Sequence, residues 1–542
     1  MPELMLRLVR RLRRSSSGSA LVGVLVFSVV MAISGVGYLS VATSAVSHEA
    51  AAVDNSAAIL AGESGLHMGA DWLHRSGAMP STDVTPFGLS HANALQFAEN
   101  NKTFFVDVIV KAASGNASEI WTEVYTSAGT HNATTFLKRL KMRAQADDFG
   151  RFGTYINKGP ATPSSWNGLG GTKLFHGRFH WNDPTIRLRF NNGANTTVST
   201  GDIRFFGDVT NANNSQSLSN LNTSNETGNN LTLTGNTGNI YNRGLAFLDN
   251  PINANYGDSI FRGRYTGGAD VVASPAYISN FASGNFGGAS NYPLPVDQRA
   301  QGSLSSDYRP LLQYNQDGTA VYKYYATSSA TTQTTVNLTA ADIGSKVLYS
   351  QTDISVKGKV SGNTTLATKS GESICVVGDL TYADFNAASA DNGGVPVGST
   401  NALGLVSGKN IVFNPQWVAT RGGAATDITG SGVSGSRTKL YLNANMTMVN
   451  PSMAGSGGGY NGYEEWDTDN TGYKYVLHFA GSQSMNYWQP TTSGAGTGGE
   501  SINYYYDERF ASGTRPYGFQ ALTTSDGHLI LSYGTWSESS VY

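Results

Sequence analysis

Cysteine is nearly absent from this chain: Cys375 is the one such residue among 542. A lone thiol excludes an intramolecular disulfide and cannot build a thiolate metal site by itself. Cys375 lies in the run Ser373-Ile374-Cys375-Val376-Val377, where it reads as a small buried hydrophobe. Charge is scarce too, at 14% of residues with a formal net charge of -2. Beyond residue 14 there is no sustained Lys/Arg stripe to neutralise a phosphate backbone, so nucleic acid is not an expected partner. Catalytic signatures are missing as well. No Gly-x-Ser-x-Gly elbow, Walker loop, His-Glu-x-x-His or nucleotide-binding glycine pattern stands in a credible context, and the chain reads as a non-enzyme.

What is abundant is Gly, Asn, Ser, Thr and Tyr. That mixture favours many short strands joined by tight turns. The length exceeds one ordinary core and points to an anchor followed by two or three globular units. The expected fold class is mainly β with a long N-terminal transmembrane, pilin-like α-helix and a β-solenoid-like C-terminal part. The expected units are a basic leader over 1–18, a helix over 19–75, a small β-sheet domain over 76–150, a β-rich domain over 151–350 and a second, solenoid-like one over 351–542.

The leader ends in Arg7-Leu8-Val9-Arg10-Arg11-Leu12-Arg13-Arg14, and the run from Ala20 to Ala42 carries no charged residue. About 20 apolar residues span a hydrocarbon core, and arginines before such a span stay in the cytoplasm. This places the chain in the cytoplasmic (inner) membrane as a single pass, N-terminus inside, with its bulk periplasmic or extracellular. A cleaved secretory signal, with Thr43-Ser44-Ala45 as the cut, is the competitor, but signal cores are only about 7–15 residues. Here the helical pattern runs on through Ala50, Ala57, Ile59, Leu60 and Ala61 to Trp72 and Leu73. An Ala-rich face of that length suits close helix packing.

The basic leader, Gly18-Ser19-Ala20-Leu21-Val22 opening the apolar run, and Ala61-Gly62-Glu63-Ser64-Gly65-Leu66 near the helix end resemble the N-terminus of type IV pilin-like proteins, nearest the PilX-like minor pilins. The resemblance implies a prepilin peptidase cut between Gly18 and Ser19, and packing of the mature helix among other pilin-like subunits of a pilus or secretion pseudopilus. Two positions depart from the major-pilin pattern. Gly23 stands where a glutamate is usual, and Ser19 is the first mature residue in place of an aromatic or Met. An acid in a membrane helix has a pairing role, and its loss suggests a tip-located, low-copy or membrane-retained subunit.

Strand signals follow the helix at Phe104–Val110, Ile120–Tyr125 and 135–142, an arrangement similar to the small sheet of PilX-like proteins. Farther on, Leu174–Asn182, Ile203–Val209, Ile354–Val360, Ile374–Tyr382, Leu403–Val412 and Tyr505–Phe510 look like segments of large pilin-like proteins with a β-rich domain of unknown function. Strands closed by Gly-Lys or Gly-Asp, as at Gly358-Lys359 and Gly378-Asp379, suggest stacked coils with inward Ile, Val and Leu at period two. Segments 211–242 and 386–401 are low in large apolar residues and read as surface loops.

Three groups of residues are candidate sites. His176 and His180, on a strand, stand about 13 Å apart and do not form a joint metal site. Asp467 and Asp469, within Glu464-Glu465-Trp466-Asp467-Thr468-Asp469-Asn470-Thr471-Gly472, partly match a calcium loop whose closing glutamate is replaced by His478. No cofactor is expected beyond that Ca²⁺ option, the plainer reading being a solvated turn. Tyr487, Trp488, Tyr504 and Tyr505, in a tyrosine-rich C-terminal region with Tyr460 and Tyr463, could stack on sugars or on a protein.

The leading expectation is a structural subunit: a minor pilin-like protein displaying a large extracytoplasmic β domain, with pilin-like subunits, prepilin peptidase and the cytoplasmic membrane as partners. One alternative is a membrane-tethered surface adhesin for polysaccharide or another protein. A lesser alternative is an anchored polysaccharide-active enzyme using carboxylates such as Asp467 or Asp507, because such enzymes leave little local signature.

Overall fold

The computed structural model describes residues 19–88, 95–99, 102–113, 117–126, 136–158, 173–183, 203–205, 207, 209–212, 265–267, 281–286, 288–299, 309–388, 393–409, 411–413, 438–449, 463–465, 475–487, 501–511, 513–519, 521–524 and 526–539. The chain is mainly β with one long N-terminal apolar helix.

That helix, α1 (Ser19–Arg75), contains no proline and is rich in alanine, so nothing interrupts its hydrogen-bond ladder. It ends where Ser76 donates its N–H to Trp72 O at 2.9 Å and its hydroxyl to Leu73 O at 2.7 Å. Gly77 follows at φ +71°, a backbone conformation that glycine enters without strain.

The second half of α1 lies on an antiparallel meander of β1 (Leu95–Glu99), β2 (Lys102–Val110), β3 (Ala117–Tyr125) and β4 (Phe136–Ala146). Period two sets the inner face: Phe104, Val106, Val108 and Val110 of β2, Ile120 and Val124 of β3, and Leu140, Met142 and Ala144 of β4 are buried against the helix.

A solenoid follows. Its strands in chain order are β5 (Phe152–Lys158), β6 (Lys173–Phe175), β7 (Arg178–Trp181), β8 (Ile203–Phe205), β9 (Val209–Asn211), β10 (Tyr265–Gly267), β11 (Asn291–Pro293), β12 (Leu311–Tyr314), β13 (Ala320–Tyr324), β14 (Thr334–Leu338), β15 (Val347–Ser350), β16 (Ile354–Val360), β17 (Asn363–Thr368), β18 (Ile374–Tyr382), β19 (Ala402–Ser407), β20 (Ile411–Phe413), β21 (Thr438–Met448), β22 (Tyr463–Glu465), β23 (Tyr475–Tyr487) and β24 (Ser501–Tyr506). Apart from β13 and β14, which pair antiparallel, and β6 and β8, which form a separate two-stranded sheet, parallel pairing joins each strand to the strand one coil away, as in β15–β17–β19–β21–β23 and β12–β16–β18–β20–β22.

The core is a set of inward columns in register. Leu348, Leu366, Leu405 and Met446 align on one face; Ile354, Ile374 and Ile411 on a second; Leu380, Leu442, Phe479 and Tyr504 on a third. Stacking at about 4.8 Å per coil brings each side chain onto its equivalent above and below. Corners depend on glycine where backbones touch. Gly358, at φ +112° in a bulge of β16, leaves no room for a side chain, since a Cβ there would lie 2.1 Å from Tyr314 O. The antiparallel hairpin pairs β12–β13 and β13–β14 extend from the early coils.

The stacking order is not the chain order. β5 pairs with β23 in the middle of the stack, and β7, β9 and β10 continue outward from β5. The chain then resumes with β11 at the opposite end and climbs back to β23. Strands on either side of residue 350 share one stack, because β12 pairs with β16, β15 with β17 and β5 with β23. The first sheet is completed by β25 (Leu531–Tyr533) and β26 (Ser537–Glu538), which return to pair with β4.

Candidate functional site

The N-terminal half of α1 is the feature with the plainest physical consequence. Val24, Leu25, Phe27, Ile33, Val36 and Leu39 are each more than 60% exposed. An 18-residue window of the helix reaches a mean hydropathy of 2.2 with none of it buried. The helix is thus long and apolar enough to cross a membrane. Gly23, Gly35 and Gly37 have no neighbour within 4 Å of where a Cβ would stand.

Farther along, the same helix becomes half core. Asp54 forms an ion pair with Lys102 of β2. Beyond it Ala57, Ala58, Ala61, Leu66, Ala70 and Leu73 are buried at helical spacing. Gly62, Gly65 and Gly69 form the contact ridge. A Cβ at Gly65 would lie 2.7 Å from Val106 Cγ1 and 2.9 Å from Thr122 Cγ2; one at Gly69 would lie 2.7 Å from Ile120 Cγ2. Small residues thus let the sheet approach the helix backbone.

A buried ion pair sits in the solenoid beside β18 and the segment leading into β19. Asp507 and Arg509, on either side of the first residue of α2 (Glu508–Ala511), are both buried. Arg509 Nε and Nη2 donate to the two Asp507 carboxylate oxygens at 2.9 and 2.6 Å. Its Nη1 donates to Ser399 O at 2.7 Å and Asn401 O at 2.9 Å, and the guanidinium lies 4.9 Å from the centre of the Tyr382 ring. Asp507 is therefore committed on both oxygens, which leaves it poorly placed for the acid–base chemistry of a glycan-cleaving enzyme.

Nearby, Asp148 accepts the Gly150 N–H at 2.7 Å and is buried. Burial pushes its carboxyl up to about 6, opposed by the Arg515 guanidinium and by the Gly150 hydrogen bond. The sign follows from linkage. A carboxyl whose folded pKa is raised contributes stability that is full below its ordinary range and is lost as pH rises through about 6. Urea midpoints measured from pH 4 to pH 7.5 should fall across that window in the wild-type chain, and Asp148→Asn should remove that component of the fall.

The residues singled out from sequence have separate fates. Ser19 is the first residue of α1, while Gly18, Asp467, Asp469 and Trp488 lie outside the described residues. Tyr487 ends β23, its side chain undescribed. Tyr504 is a correction to the aromatic binding set. It closes the inward column Leu380–Leu442–Phe479 and donates its hydroxyl to Gly153 O, so it is core and not an exposed platform. Tyr505 points the other way, half-buried, with His176 stacked on it at 6.2 Å. His180 is buried in β7, its ring nitrogens bonded to Thr210 Oγ1 at 2.7 Å and Asn182 Oδ1 at 3.0 Å. Among the described residues no group of three or more His, Cys, Asp or Glu side chains is arranged to hold a metal ion. Sequence reasoning missed the Arg509 cluster. Its one local signal was the Asp507-x-Arg509 spacing.

No protein-family model matches the chain, and no curated protein matches it. Among solved structures, the competence-associated pilin ComZ from Thermus thermophilus aligns with 84% of this chain and 89% of its own length, at 11% identity and a TM-score of 0.24.

Proposed function

We propose that the chain is a minor pilin-like subunit, nearest the PilX-like group, of a type IV pilus or related secretion pseudopilus. The first half of α1 holds it in the cytoplasmic membrane with the basic leader in the cytoplasm, and prepilin peptidase cuts between Gly18 and Ser19. The freed helix packs among other pilin-like subunits while the solenoid stands outside. The observation that carries this reading is the division of α1 into a bare apolar half and a half docked on an antiparallel meander. That is the economy of a subunit whose core ends where its assembly surface begins. Gly23 in place of the usual glutamate fits a tip-located or low-copy role, since no buried acid waits there for a neighbour's charge.

The test is membrane retention. Full-length wild-type chain should stay in the pellet after an alkaline carbonate wash. Val30→Arg combined with Ile33→Arg puts two charges at the span centre, where each is strongly disfavoured, and should move the chain to the supernatant or to degradation. Equal pelleting of both would contradict the anchor.

A further inference from the structure

The path of the chain between the head sheet and the solenoid partitions the molecule. The head comprises α1, β1 to β4, β25 and β26. Everything from β5 to β24 is an excursion from the end of β4 that returns to the same end of β4, where Leu531 pairs with Ala146. The feet of that excursion are hydrogen-bonded to each other. Asp147 N–H donates to Ile530 O at 2.9 Å, Leu522 N–H to Asp147 O at 2.7 Å and Ile530 N–H to Leu522 O at 2.9 Å. Ser532 Oγ donates to Asp147 Oδ1 at 2.8 Å, and Arg151 pairs with the same carboxylate.

Each part also buries its own apolar residues. The head core joins Ala57, Ala61, Leu66 and Leu73 to Val106, Val108, Ile120 and Leu140. The solenoid core is built from Leu348, Val356, Leu366, Val376, Leu405 and Leu442. A third cluster at the foot, with Phe149, Phe152, Phe281, Phe519 and Leu522, takes no residue from α1 or from the first four strands. Among the described residues no strand of the head sheet pairs with a strand of the solenoid.

We propose that the solenoid is a separately cooperative module inserted into the β4–β25 connection of a self-sufficient head. Anchoring, and filament incorporation if the reading above holds, then belong to the head, and the solenoid is free to take on recognition outside the filament. Insertions of whole domains are tolerated where the two ends lie together at the surface of a host fold, and two closed cores with no shared ladder unfold as separate units.

The experiment uses the full chain in detergent and reads amide exchange peptide by peptide. Arg509→Ala, which breaks the buried pair of the solenoid, should lower protection of peptides from β16 to β21 at least tenfold while leaving peptides from β2 to β4 within about threefold. The reciprocal variant, Gly65→Leu with Gly69→Leu in the head, should reverse the pattern, and it keeps the test decisive should the first variant unfold its module completely. Parallel loss of protection in both parts, in either variant, would overturn the proposal. Neither result depends on whether a filament exists, so failure of the pilin reading is seen separately, in the carbonate wash.

Discussion

Replacement of Arg509 by alanine is expected to cost about 3–5 kcal/mol, the range for removing one partner of a buried ion pair. Arg509 is 6% exposed and Asp507 is 2% exposed. Their attraction offsets the desolvation of both, and without the cation the carboxylate remains buried beside Tyr382 with no opposite charge on it. Two backbone carbonyls, those of Ser399 and Asn401, lose their donor in the same substitution. Arg509→Lys should recover little of the loss, because an ammonium cannot present a fork to the carboxylate and reach both carbonyls at once. Denaturant midpoints of the solenoid transition measure this directly. A loss below about 1 kcal/mol, the level of an exposed pair, would show that the pair is not buried in solution.

The second large effect is expected in the head. Gly65→Leu with Gly69→Leu should lower its stability by about 2–6 kcal/mol, from about 1–3 kcal/mol for each overpacked position. The first atom of each new side chain already meets Val106, Thr122 or Ile120 inside contact distance. These neighbours are mid-strand residues of β2 and β3, so relief requires the helix to lift from the sheet. Replacement by alanine separates two causes. Glycine inside a helix is disfavoured by about 1 kcal/mol relative to alanine, so an exposed position would gain stability, whereas this ridge should lose it.

Much of this architecture is readable from the residues where the determinants are local. The apolar run after Arg14 specifies the bare half of the helix, whereas the small residues from Ala57 to Ala70, which read as a face for other helices, dock on the head sheet instead. Alternation in Phe104–Val110 and Ile120–Tyr125 gives two strands of the head, and Ile354–Val360 with Ile374–Tyr382 gives two coils. What escaped is non-local. Pairing of β5 with β23 joins residues such as Thr154 and Gln483 across most of the chain, and parallel partners that distant leave no turn or spacing between them to read. The returning strands β25 and β26 are too short to show a period. Tyr504 and Tyr505 illustrate a narrower limit: alternation says that one faces in, but only the column under Phe479 says which. The Arg509 cluster reaches back to Ser399 and Asn401 in a glycine-rich segment that composition marks only as a loop.

In the proposed reading α1 is the mature N-terminus of a pilin-like subunit. The most direct measurement is the first residue of the protein, by intact mass and peptide sequencing, in isolated membranes and in the sheared surface fraction. A chain beginning at Ser19 is expected in both fractions; an intact Met1, or a start near Val46 with the apolar half of the helix removed, would contradict the pilin-like reading.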